Sequence, residues 1–127
     1  MASLEAVAAL SGVLSSSTKV AILFELEASS ASVGELCRSL GLSQSLVSHH
    51  LATMRSLKLV SSVRRKQSHD YRLSPRVRIV RDGGVLLELW DLDGEVSVAM
   101  RVADPDPSRN GEVHVPGTAA RSSSPSA

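Results

Sequence analysis

An α+β fold is predicted by three features of the sequence. Apolar residues recur at helical spacing through residues 3 to 57, polar and apolar residues alternate at strand spacing through much of 59 to 102, and the remainder is polar and rich in Ser and Pro. At 127 residues the chain is long enough for one domain with a single core plus tails. It has no apolar run near the length that crosses a bilayer, and its start lacks the basic segment and continuous apolar stretch of a secretory signal. A cytoplasmic protein with no membrane partner is therefore expected. The single cysteine, Cys37, rules out an intrachain disulfide and an all-thiolate zinc site.

The first helix is expected over residues 3 to 14, with Leu4, Val7, Ala8 and Leu10 at helical spacing and Ser3 able to cap it. It carries few charges, so it packs either on a partner, as a dimer element, or into the core. Residues 15 to 18 form a capping cluster, and Val20, Ala21, Leu23, Phe24 and Leu26 extend a second helix to about Ala28. Residues 29 to 32 break it.

Val33, Leu36, Cys37 and Leu40 fall at i, i+3, i+4 and i+7, one buried face of a third helix that Gly41 should stop. Ser43 then caps a fourth helix over residues 43 to 57, with Leu42 and Val47 spaced as a hydrophobic staple. Its inward face is Val47, His50, Leu51 and Met54. Its outward face shows Gln44, Ser45, Ser48, His49 and Arg55, with no bulky apolar group to prevent close approach. Two helices joined by a three-residue turn, the second presenting such a face, form a helix-turn-helix.

Net charge is only +1, but it is unevenly distributed. Residues 1 to 60 balance; residues 61 to 81 hold Arg64, Arg65, Lys66, Arg72, Arg76, Arg78 and Arg81 against Asp70 alone, a net +6. Residues 59 to 63 and 71 to 73 read as paired strands, with a basic loop between them over residues 64 to 70. Such a loop is either a solvated charged hairpin or, directly after a helix of this kind, a wing that reaches phosphates or the minor groove.

The run Val33-Gly34-Glu35-Leu36-Cys37-Arg38-Ser39-Leu40-Gly41-Leu42-Ser43-Gln44-Ser45-Leu46-Val47-Ser48-His49-His50-Leu51, with Leu59-Val60 and Tyr71-Arg72-Leu73-Ser74-Pro75, strongly resembles the ArsR/SmtB family of bacterial winged-helix repressors. The likeness spans roughly residues 4 to 75. It implies a winged helix-turn-helix, a homodimer on a near-palindromic double-stranded DNA operator, and release by a signal. The DNA-contact candidates are Ser43, Gln44, Ser45, Ser48, His49 and Arg55 on the helix, and Arg64, Arg65, Lys66 and Gln67 on the wing. The family's arsenic and cadmium sensors carry Glu-Leu-Cys-x-Cys in the third helix. Here Cys37 matches the first cysteine and Ser39 stands at the second; residues 76 to 102 hold no histidine for a site of the zinc and nickel type. No cofactor is predicted, and Cys37 is the one candidate metal ligand; otherwise it is a small core residue or a thiol sensor. His50 is expected as a hydrogen-bonded core histidine and His49 as an outward one.

Members of that family continue into a long last helix, whereas this chain departs from the pattern. Residues 76 to 81 alternate as a strand, Asp82-Gly83-Gly84 is a turn, residues 85 to 90 a second strand, Asp93-Gly94 a tight turn, and residues 95 to 102 a third strand. This C-terminal β-meander, in place of the usual last helix, would close a dimer, cover the domain, or bind a small-molecule or protein effector, with Trp90 a core or interface anchor. The expected domains are 1–75 for DNA binding, 76–102 for the β extension and 103–127 as a disordered tail. A protein-interaction module is the alternative function. An enzyme is not expected, because no glycine-rich phosphate loop, nucleophile elbow or carboxylate pair stands out, and Asp91 with Asp93 reads as turn chemistry.

Overall fold

A computed structural model describes residues 2–103. Three of the four described helices start at a capping serine. Helix α1 (Ala2–Leu14) starts one residue early, so Ser3 lies inside it rather than capping it. Helix α2 (Ser17–Ala28) is capped by Ser16, whose hydroxyl accepts the Lys19 N–H at 3.2 Å. The two helices are bent by 81° relative to each other. Helix α3 (Val33–Leu40) opens with a reciprocal cap: Ser32 Oγ accepts the Glu35 N–H at 3.1 Å and Glu35 Oε1 accepts the Ser32 N–H at 2.9 Å. Gly41 ends it at φ 69°, donating to the Cys37 carbonyl at 2.8 Å.

Helix α4 (Gln44–Ser56) starts at Ser43, whose Oγ accepts the Leu46 N–H at 3.2 Å. Beyond the helix, Lys58 takes the left-handed conformation at φ 63°, Leu59 N–H reaches the Met54 carbonyl and Lys58 N–H the Arg55 carbonyl, both at 3.0 Å. This pair of bonds is the Schellman arrangement, with a lysine where glycine is usual.

Five strands follow: β1 (Val60–Arg65), β2 (Ser68–Leu73), β3 (Val77–Arg81), β4 (Gly84–Trp90) and β5 (Ser97–Ala103). The β1–β2 hairpin is antiparallel and runs from Val60↔Leu73 to Arg65↔Ser68. The expected seven-residue loop is therefore a two-residue tip, Lys66 and Gln67, because the strands extend through Arg65 and resume at Ser68. Ala31 adds one more rung, pairing with Tyr71 through two backbone hydrogen bonds of 3.0 and 2.8 Å. The meander forms a second sheet in the order β3-β4-β5. Its last strand starts later than the sequence suggests, because Asp91 Oδ1 captures the N–H groups of Glu95 and Val96 at 3.0 and 3.2 Å. Asp91 is thus a turn residue, as expected.

The described residues fall into two units, 2–78 with 88–100, and 79–87 with 101–103. In the first, α2 is central, packed against α1, α3, α4 and β2, with Ile22 and Leu23 fully buried. Leu10, Val13, Leu26, Leu36, Val47, Leu51, Met54, Leu59, Val60 and Leu89 complete that core. In the second, Leu87 is buried, Gly83 turns the chain at φ 79°, and Arg101 Nη1 meets Asp82 Oδ1 at 3.3 Å. The expected tail, apart from Ala103 at the end of β5, lies outside the described residues. No single described helix is long and apolar enough to cross a membrane.

His50 departs from its expected role. It is half-buried on α4, but its Nδ1 is shut away from water with no hydrogen-bond partner, so it is not a satisfied core histidine. Apolar periodicity gave the direction of the side chain and could not supply a partner. Desolvation, then the charges of Lys19 and His49, hold its pKa below the ordinary 6.5. The unfolded chain thus binds a proton that the folded one resists. The stability from this group is complete above 6.5 and is lost as pH falls through that value toward the lowered folded one. The variant His50→Gln is expected to lose less stability over this acid window than the parent, measured by urea midpoints across the range.

Two turns give a matched pair of stability predictions. At Gly41 an added Cβ would meet nothing within 4 Å, so Gly41→Ala should cost only the left-handed backbone strain, about 1 kcal/mol. Lys58→Gly should remove the same kind of strain and gain up to about 1 kcal/mol. Both are read from denaturation midpoints at constant slope.

Candidate nucleic-acid interface

The outward face of α4 is a polar surface set by the helix period. Ser43, Gln44, Ser45, Ser48, His49 and Arg55 are all exposed, while Val47, Leu51 and Met54 on the opposite side are buried. Ser43 Oγ and Ser45 Oγ lie 3.4 Å apart at the start of the helix, where backbone N–H groups favour an anion. Thr53 Oγ1 donates to the His49 carbonyl at 3.3 Å, and His49 is exposed. Its ring stands 5.6 Å from His50 and tilted by 60°. One feature corrects the expectation: Leu46 is 38% exposed, so the outer side does carry an apolar group beside Ser45.

The wing is built differently from its sequence reading. Arg64 and Arg65 are on β1 rather than in a loop, and neighbours on a strand project to opposite faces. Arg64 lies across from His69, whereas Arg65 Nη1 pairs with Asp70 Oδ2 at 3.0 Å. Lys66, at φ 54°, and Gln67 form the exposed tip. A tight tip was not legible because it depends on pairing between strands, not on any Asn-Gly or Gly-Gly signal.

The tip stands beside the start of α3. Arg65, Lys66 and Gln67 border a polar groove of about 660 Å³ together with Ser30, Ser32, Glu35 and Arg38. Glu35 is held below the usual carboxylate range chiefly by the Ser32 backbone N–H, then by the Ser32 hydroxyl, with Arg38 and Arg65 adding to the effect. The expected contact residues therefore form two groups, one along α4 and one beside α3. Packing of α3 on α4 and of α4 on β1 links them. Arg38 was missed by sequence reading. It sits in a stretch where acids and bases cancel, and only the fold brings it to the wing.

Cys37 is half-buried rather than buried. At the position of the family's second cysteine, Ser39 Oγ donates to Glu25 Oε1 at 2.6 Å, so this hydroxyl ties α3 to α2. Among the described residues no group of three or more His, Cys, Asp or Glu side chains is placed to hold a metal ion.

A family model described as bacterial regulatory protein, arsR family, matches residues 16–62, which takes in α2, α3, α4 and the start of the wing. Among solved structures, NolR from Sinorhizobium fredii is 34% identical with a TM-score of 0.53, over 56% of this chain and 71% of that one. HlyU from Vibrio cholerae N16961 is 36% identical with a TM-score of 0.52, over 55% and 76% respectively. No curated protein matches the sequence. The helix-turn-helix, the wing and these likenesses agree: the chain belongs to the arsR family of bacterial regulatory proteins, DNA-binding regulators of transcription.

Proposed function

We propose that this protein is a cytoplasmic, homodimeric repressor that occupies a near-palindromic operator and leaves it when a small-molecule or protein effector binds. The observation that carries this reading is the polar, exposed side of α4 together with an exposed hairpin that carries Arg64, Arg65 and Lys66 at or next to its tip, the two linked by packing of α4 on β1. In this scheme Gln44, Ser45, Ser48 and His49 contact base edges or neighbouring phosphates. Ser43 places the helix start against a phosphate, and Arg55, Arg64, Arg65, Lys66 and Gln67 hold the backbone. Residues 1–75 act as the DNA-binding domain, and residues 76–102 as an extension for dimer or effector contact. The dimer contact includes the side of α1 where Leu4 is 63% and Val7 39% exposed, apolar surface that a second copy would cover.

If each protomer neutralises about four phosphates, the logarithm of affinity should fall with the logarithm of salt at a slope of about −7. Arg64→Ala with Lys66→Ala should weaken binding to every duplex and flatten that slope by about 2 to 4 units, depending on whether one or both contacts are lost per protomer. Gln44→Ala or Ser48→Ala should instead change which operator is preferred. Electrophoretic shifts on operator fragments across a salt series measure all three. A wing variant that binds as the parent does would remove the hairpin from the interface.

A further inference from the structure

Beside the end of α4, away from the polar side that the proposed function uses, lies a half-open cavity of about 480 Å³. Its size is that of a pocket for a small organic molecule. Ala6, Ala9 and Leu10 of α1 form one wall, Leu57 after α4 another, and Leu92 and Val96 of the β4–β5 turn a third. The small side chains of α1 leave this space open, and Leu92 is 58% exposed. The lining is therefore apolar over most of its extent.

The charge at its border is of one sign. Asp91, Asp93 and Glu95 line the cavity, and its lining includes no lysine, arginine or histidine. Asp91 Oδ1 is occupied by the turn, whereas Asp93 and Glu95 are exposed. Ser56 and Leu57 bring the C-terminal end of α4 to the same place, and that end of a helix carries partial negative charge. Arg76 reaches the turn through a 3.0 Å bond from Nη2 to the Leu92 carbonyl, but it does not line the cavity. An apolar space with a negative border is complementary to an apolar body bearing one positive charge.

We propose that this cavity binds an organic monocation, a protonated amine carried on an apolar group, with the amine toward Asp93 and Glu95 and the apolar part against Ala6, Ala9 and Leu57. The occupant touches the last turn of the proposed recognition helix. On the DNA-binding reading it is then a candidate for the releasing signal, but the site itself stands without that reading.

The test uses the full chain and three probes of one shape: 4-phenylbutylamine, 4-phenylbutanol and 4-phenylbutyrate. Binding is followed by backbone NMR shifts, without DNA, so that failure of the site and failure of the operator reading are separately visible. The amine should bind at millimolar concentration or tighter, shifting Ser56, Leu57, Leu92 and Val96, with the alcohol about tenfold weaker and the carboxylate weaker still. Asp93→Asn with Glu95→Gln, both at exposed positions, should bring the amine down to the level of the alcohol. Ala9→Leu should fill the space and remove both. The proposal is overturned if the amine does not bind, if the carboxylate binds as well as the amine, or if the neutralised variant keeps the preference for the amine.

Discussion

Two backbone hydrogen bonds between Ala31 and Tyr71 hold the helix-turn-helix and its hairpin in register. Ala31 immediately precedes the Ser32 cap of α3, so the bonds tie the start of the helix-turn-helix to the middle of the wing's return strand. The other end of that strand is tied to the exit of α4. Ser74 donates its N–H to the Leu59 carbonyl at 2.9 Å and its hydroxyl to the Lys58 carbonyl at 2.7 Å. The return strand is thus fixed to the segment before α3 and to the one after α4. A slip of one residue would turn Val60 out of the core, since strand side chains alternate between faces.

With the hairpin held in this way, α4 can carry a surface that does little for its own stability. Ser and His on its outer side contribute little to helix formation, and an isolated helix of this length would be marginal. Stability comes from the other side, through Val47, Leu51 and Met54 against the core, and from the ends, through Ser43 and the turn at Lys58. Chemistry suited to a duplex is therefore separated from chemistry that supports the fold. His50 sits between the two regimes, near enough to the core to lose its water and too far from any acceptor or donor to replace it.

The parts legible in the sequence are those with local causes. Gly41 and Ser43 mark the turn because a left-handed residue and a capping hydroxyl act on their immediate neighbours, and alternation revealed the meander for the same reason. Features fixed by pairing between distant segments were not legible. Ala31 is an ordinary residue within a polar break, and nothing near it announces Tyr71. The hairpin tip was expected to span residues 64 to 70 because the basic composition of that stretch resembles a loop. Strand pairing overrides composition there, placing Arg64 and Arg65 on opposite faces. The start of β5 moved for a side-chain reason, the capture of two N–H groups by Asp91.

The basic strip shows how far a charge count can be taken. Of its seven cations, Arg65 pairs with Asp70, Arg78 with Glu88 at 3.5 Å, and Arg76 binds the Leu92 carbonyl. Arg81 also has a partner. Exposed ion pairs of this kind contribute little to stability, but they orient a side chain and offset its charge. Arg64, Lys66 and Arg72 are exposed, and among the described residues none of them has a carboxylate partner. About three uncommitted cations per protomer, with one helix start, is close to the four phosphates used for the salt slope. Beside and on the meander, Arg76 is engaged with a turn and Arg78 with a strand. A count over the linear sequence therefore gives more than twice the charge that this strip has available to a duplex, and within the strip it is the hairpin that carries the electrostatic part of the proposed DNA contact.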